Sequence, residues 1–218
     1  MAPEKGWPQE KATLEPDQQA AVIAAAAKVR LGEIVTVAIH TGLRKGELLG
    51  LQWSSVHFAE GALHVRHSLE EVSGKHQFKS PKSKAGRRMV PLTAQATAAL
   101  RNRLNAAIAE GLPPEEVSTV FPDTRGGFMR GSNFDRRFWR PVKTAARLPD
   151  SVRFHDLRHT FASTSLEAGI RMEVLQELMG HSSYQTTADV YGHLMQGARC
   201  DAISLLAEYH QRHSGELI

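Results

Sequence analysis

The apolar period of this chain changes once and then changes back. Ile34 to Thr41 is apolar throughout, as in a buried helix; Gly42 breaks the run, and RKGELLGL begins another helical turn. Between Ser55 and Val90 the period shortens to two. Leu63, Val65 and His67 alternate with His64, Arg66 and Ser68, as a half-exposed strand requires. Ser55–Phe58 and Ala62–His67 are joined by the short turn Ala59-Glu60-Gly61, and Gln77–Lys79 and Arg87–Val90 flank a basic tip. From Thr93, which caps a helix running to about Glu110, the helical period returns; Gly111 and Pro113-Pro114 end that helix. Further helices are expected over Ser132–Ala146, His155–Ala168, Glu173–Met179, Tyr184–Tyr191 and Arg199–Tyr209, and at the front Asp17, just after Pro16, is placed to cap an alanine-rich one. One element cannot serve both periods. The expected class is therefore α+β, a mainly α-helical domain with a small antiparallel sheet of about three strands. Neither a Gly-rich phosphate loop nor a dinucleotide fingerprint is present, which counts against a doubly wound fold.

Composition excludes several classes. The 218 residues suit one domain with an ample core. Apolar runs stay well short of the roughly 20 residues a membrane span needs, and Met1–Glu10 lacks an export pattern. A single Cys200 rules out an internal disulfide and a cysteine-rich metal site, so a reducing, cytoplasmic setting is expected. The net charge is +4 and the isoelectric point about 9.4. Its distribution matters more than its sum: basic residues gather at Lys75–Arg88, a stretch without a carboxylate, and at Arg125–Arg147. Such stretches are solvated loops or phosphate-binding surfaces, and charge alone does not decide between them.

Polar functional groups are densest in the C-terminal third. Phe154-His155-Asp156-Leu157-Arg158-His159-Thr160 puts His155 and Arg158 three apart on one helical face. Gly180-His181-Ser182-Ser183 breaks two helical stretches, and Tyr191 follows ten residues after His181. Far upstream stands Thr41-Gly42-Leu43-Arg44-Lys45-Gly46-Glu47. Phosphodiester transfer without a metal needs cations on the non-bridging oxygens, and arginine suits this because its planar fork binds phosphate twice and stays charged. It also needs a nucleophile and a proton donor for the leaving oxygen. Arg44, Lys82, His155, Arg158, His181 and Tyr191 supply every part. Histidines four apart, His155 and His159, also match zinc-ligand spacing, but Asp156 stands where such enzymes carry glutamate and Arg158 would set a positive charge beside the metal. A DNA-binding module without activity is a third reading, opposed by the intact set of polar groups.

TGLRKGELLGLQW, FHDLRHTFAS, LMGHSS and TTADVYGHL resemble, in order and spacing, the arginine, His-x-x-Arg, Gly-His and tyrosine boxes of the tyrosine recombinase (phage integrase) family, and KSPKSKAGRRMVPL resembles its lysine-bearing strand-turn-strand segment. The resemblance implies site-specific DNA recombination through a 3′-phosphotyrosyl intermediate at Tyr191, without ATP, metal or other cofactor. It implies that Arg44 and Arg158 hold the phosphate, that His181 adds a hydrogen bond, and that His155 acts as acid/base near the tyrosine oxygen. Glu47 would orient Arg44. Lys82 would protonate the leaving 5′-oxygen, with Lys84 the alternative, because the register of the hairpin is open. Lys79, Lys84, Arg87 and Arg88 are expected phosphate contacts, and His159, given no catalytic duty by the family match, a supporting residue. Among the other tyrosines, Tyr184 sits too close behind His181 to match the box and Tyr209 lies in the tail. The implied partner is double-stranded DNA, with a homotetramer on two duplexes and a monomer when free.

The expected organisation is a linker or terminal extension over residues 1–15, a catalytic domain over 16–197 and a C-terminal helical tail over 198–218 that docks on its own domain or on a neighbouring protomer. Family members carry an N-terminal helical domain that closes around DNA; the match begins near Asp17, so that domain is expected to be absent and DNA affinity to be weak and salt-dependent.

Overall fold

The computed structural model describes residues 12–72, 75–79, 86–191, 208 and 210–212. Lys82, Lys84 and nearly all of the expected C-terminal tail lie outside these residues. The first helix, α1 (Pro16–Ala26), begins at the proline, and its cap is Glu15 rather than the expected Asp17. Pro16 takes the first helical position, where a missing N–H costs nothing. The Glu15 amide then donates to Gln18 Oε1 at 3.0 Å.

Helix α2 (Glu33–Thr41) buries Ile34, Val35, Val37, Ala38 and Ile39, and only the narrow face of Glu33, Thr36 and His40 is half-buried. It packs against α1, against α4 (Ala94–Ala109) and against α7 (Asp156–Glu167), and is the centre of the main core. Thr93 caps α4 as expected, its hydroxyl accepting from the Ala96 amide at 3.2 Å. The short α3 (Lys45–Leu49) follows α2. The expected Ser132–Ala146 helix is one helical run in three pieces: α5 (Gly131–Phe134), a π-helical turn (Asp135–Trp139) and α6 (Arg140–Ala145).

The sheet has three antiparallel strands in the order β1 (Val56–His57), β2 (Ala62–Val65) and β5 (Arg88–Pro91), with Leu63 opposite Val90 and Val65 opposite Arg88. Leu63 and Val65 point into the core, as their alternation predicts. The segment containing Gln77–Lys79 pairs differently from the expected flanking of a basic tip by β5. It is β4 (Lys75–Lys79), and it forms a separate two-stranded ribbon with β3 (Ser68–Val72). Ala62–His67 therefore divides: the sheet ends at Val65, and the next strand begins at Ser68.

Helices α8 (Met172–Met179) and α9 (Tyr184–Tyr191) complete the described fold. With α7 they enclose a second, smaller core of Ala162, Met172, Leu175, Met179 and Tyr191. No helix among the described residues is long and apolar enough to cross a membrane.

Candidate active site

Two left-handed glycines prepare the site. Gly42 ends α2 at φ 62°, and a Cβ there would lie 2.3 Å from the Phe161 ring, so the position requires glycine. Gly180 ends α8 at φ 63°. Its amide returns to Glu177 O and the His181 amide to Gln176 O, a Schellman closure that satisfies two of the last carbonyls of α8.

The next three carbonyls each receive an arginine. Arg88 Nε donates to Leu178 O at 2.6 Å, Arg158 Nη2 to Met179 O at 2.6 Å, and Arg44 Nη2 to Gly180 O at 3.1 Å. The carbonyl end of a helix carries partial negative charge, so cations gather there favourably. Arg158 reaches across with Nη1 to Gly42 O, also at 2.6 Å, and so ties the end of α2 to the end of α8.

One carboxylate serves this cluster. Glu47, 5 % exposed, accepts from Arg44 Nη1 at 2.9 Å and from the Arg44 amide at 2.8 Å. It also accepts a two-pronged pair from Arg88 at 3.0 Å on each oxygen. Burial would raise its pKa, but the Arg88 hydrogen bonds and charge, with those of Arg44, outweigh burial and hold it below the usual value. Three guanidiniums against one carboxylate leave the cluster with two positive charges in excess. Arg158, 3 % exposed, feels this most: burial first, then the Arg44 charge, pull its pKa down to about 9. It remains charged at neutral pH. Such a site is stabilised by an added anion. Arg44, whose side chain is 39 % exposed, is the most exposed member of the cluster.

His181 follows α8 directly, and its Nδ1 lies 2.8 Å from the hydroxyl of buried Thr187 on α9. Tyr191, at the end of α9, is 3 % exposed. Its hydroxyl lies 2.6 Å from Nδ1 of buried His159. Burial raises the Tyr191 pKa to about 12 although the Arg158 charge pulls the other way. The His155 ring is set edge-on to the His159 ring at 5.1 Å between centroids, and His155 itself is exposed at the N-terminus of α7.

The structure thus brings Arg44, Glu47, Arg158 and His181 together around the end of α8, with Tyr191 beside them within the electrostatic reach of Arg158. Among the expected phosphate contacts, Arg87 is exposed and Lys79 is an exposed partner of Glu70 at 2.8 Å. Arg88, expected among these contacts, has a side chain only 6 % exposed and engaged with Glu47 and Leu178 O, so it stands within the arginine cluster. Strand alternation carried the signal, since Arg88 shares its face of β5 with buried Val90 while Arg87 and Met89 point outward. Thr187 is a residue that spacing did not single out, and His159, expected only in support, is the one in contact with the Tyr191 hydroxyl. The two-histidine zinc reading gains no third ligand in space: no group of three potential ligands converges among the described residues.

Beside His155 opens a cleft of about 550 Å³ whose lining includes Lys45, Arg136, Arg140, Lys143 and Arg153. Lys45 is paired there with Asp135 at 2.6 Å and Lys143 with Asp150 at 3.3 Å.

The sequence profile of the phage integrase family matches residues 12–197. The tyrosine recombinase XerD of Pseudomonas aeruginosa is 31 % identical over 214 residues, an alignment covering 96 % of this chain and 65 % of that protein. The XerC-like tyrosine recombinase of Caldanaerobacter subterraneus subsp. tengcongensis is 30 % identical over 193 residues, covering 81 % of this chain and 49 % of its own. Among solved structures, the Tn1549 transposon integrase in complex with circular intermediate DNA superposes with a TM-score of 0.77 at 24 % identity, covering 91 % of this chain and 68 % of that one, a likeness of fold. The chain spans about half to two thirds of the length of these curated relatives.

Proposed function

The chain belongs to the phage integrase family, and on that premise we propose that it cleaves and rejoins DNA strands at specific sites through a covalent bond between Tyr191 and a 3′-phosphate. The observation that carries this reading is the arginine cluster at the end of α8, two charges in excess, with Tyr191 next to it. A phosphodiester supplies the anion this cluster is short of. Arg44 and Arg158 receive its non-bridging oxygens, and His181, fixed by Thr187, adds a hydrogen bond. Glu47 holds Arg44 in place, and Arg88 holds Glu47.

The Tyr191 oxygen attacks phosphorus, the bond to the 5′-oxygen breaks, and the 5′-oxygen leaves as a hydroxyl. Lys82 protonates it, with Lys84 the alternative. The resemblance gives the acid/base exchange on the other side, near the tyrosine oxygen whose proton must leave as it attacks, to His155, which is exposed beside the basic cleft. A 5′-hydroxyl of the partner strand then displaces the tyrosine, so the bond energy is kept. Double-stranded DNA is the partner, its backbone running along the cleft beside His155 with Lys79 and Arg87 as outer contacts. The Tn1549 transposon integrase, whose fold is similar, is bound to circular intermediate DNA in its solved structure, which supports this. Four protomers assemble on two duplexes, and the free chain is a monomer.

The test is covalent trapping. A randomised pool of duplexes nicked near the cleavage position lets the short 5′-hydroxyl fragment escape, so cleaved DNA stays on the protein through denaturing electrophoresis. Wild type is expected to retain DNA and Tyr191→Phe none, with both folded. Equal retention by the Phe protein would remove Tyr191 as nucleophile, and no retention by wild type would remove the reading.

A further inference from the structure

The family resemblance gives His155 the acid/base work near the tyrosine, yet the imidazole in contact with the Tyr191 hydroxyl belongs to His159. Both partners are buried, His159 at 5 % exposed and Tyr191 at 3 %. Both are fixed by the elements that carry them: His159 lies one residue after Arg158 on α7, and the Tyr191 ring is packed with Ala162, Met172, Leu175 and Met179. The rings stand 5.9 Å apart between centroids, so the 2.6 Å contact is made by their polar tips rather than by stacking.

We propose that His159 is a catalytic residue of the recombinase reading above: its Nδ1 holds the Tyr191 hydroxyl and takes its proton as the tyrosine attacks phosphorus. In the neutral pair the hydroxyl donates and Nδ1 accepts, which puts the ring proton on Nε2. As the bond from Oη to phosphorus forms and the bond from phosphorus to the 5′-oxygen breaks, the Tyr191 proton moves to Nδ1. The 5′-oxygen takes its own proton from a different donor. On rejoining, a 5′-hydroxyl attacks and gives its proton back to that other donor, the bond from phosphorus to Oη breaks, and His159 returns the proton to the tyrosine oxygen.

Tyr191 needs such an acceptor because burial holds its hydroxyl protonated far above neutral pH. The charged and titratable groups around the pair support the transfer. Arg158, on the same helix, favours the tyrosinate as it forms. His155 meets the His159 ring edge-on and is itself exposed, so its own titration must be separated from that of His159. From α8 the Tyr191 ring meets methionine and leucine, which add no competing charge.

The first measurement needs no DNA. The chain has three tyrosines, and with tyrosine labelled by 13C at Cζ, Tyr191→Phe assigns the Tyr191 resonance. In wild type that resonance is expected to shift as a histidine titrates between about pH 5 and 8. The shift should persist in His155→Asn and vanish in His159→Asn, where the amide replaces Nδ1 without accepting a proton. A wild-type resonance that is flat over this range, or a shift that survives His159→Asn, overturns the proposal.

The second measurement uses nicked duplexes carrying a 5′-bridging phosphorothiolate, whose sulfur leaves without needing a proton, so that the attacking side is read alone. Wild-type trapping should level off once His159 is neutral. His159→Asn should be slower by about a hundredfold at pH 7, and its rate should keep climbing about tenfold per pH unit. A variant with the wild-type rate and profile overturns the proton transfer while leaving the recombinase reading standing. Failure of wild type to trap DNA overturns both.

Discussion

Glu47 is one negative charge holding two of three positive ones. Arg88 grips both its oxygens and Arg44 takes one of them through its side chain and the other through its backbone amide. Removing the charge leaves the guanidiniums facing one another in a buried site. Glu47→Gln should therefore cost about 3 kcal/mol of stability at pH 7, the scale of breaking a buried pair by removing one partner. The pH dependence follows from its lowered pKa. The unfolded chain takes up the Glu47 proton near pH 4.3, the folded chain only at lower pH, so the stabilisation is present above about pH 4.3 and is lost as pH falls through the folded value. Urea unfolding between pH 3 and 7 should show a flatter acid limb in the Gln variant than in wild type. Parallel limbs would mean that Glu47 titrates alike in both states and does not hold the arginines.

The end of helix α8 makes the site a site. Three carbonyls left over after the Gly180 closure set the spacing of three arginines drawn from α7, β5 and the residue before α3. Arg88→Met, which keeps length and apolar volume but no donor, should free the end of α8 and leave Glu47 with Arg44 alone. The cleavage rate should fall, while the salt dependence of DNA binding stays as in wild type; a DNA-contacting Arg88 would instead lower that slope by about 0.9. Much of this element level was legible in the sequence. Thr93, Gly42 and Gly180 marked helix ends by their chemistry, and the four boxes named Arg44, Arg158, His181 and Tyr191. Pairing across space was less so. Nothing in the period-two pattern says that Lys75–Lys79 pairs back onto Ser68–Val72 instead of forward onto Arg88–Pro91, because alternation fixes faces and not partners. By residue type Asp17 is the better cap, but Pro16 at the first helical position sets the start and makes Glu15 the cap. The family match assigns His159 no catalytic duty, and sequence spacing reports which residues share a face and not which one reaches a hydroxyl on α9.

At the scale of the whole molecule, the proposed DNA partner has to be met by a chain with a net charge of only +4. The excess is concentrated. Two charges of it sit in the arginine cluster, and the cleft beside His155 is lined by Arg136 and Arg140, whose neighbours Lys45 and Lys143 are offset by Asp135 and Asp150. Binding to DNA releases counterions in proportion to the phosphates met, so the logarithm of affinity should fall linearly with the logarithm of salt. If the duplex follows the cleft, Arg136→Ala and Arg140→Ala should each reduce that slope by about 0.9 and weaken binding alike for all sequences, since phosphate contacts carry no sequence information. Neither change touches the cluster, so the cleavage rate on saturating DNA should stay within about twofold of wild type. Titrations of labelled duplex from 50 to 200 mM salt read the slope, and single-turnover trapping reads the rate. An unchanged slope in both variants would move the DNA off this cleft. A loss of rate at saturation with an unchanged slope would mean that the two arginines position the π-helical turn, and through Asp135 also Lys45 next to Arg44, rather than the DNA.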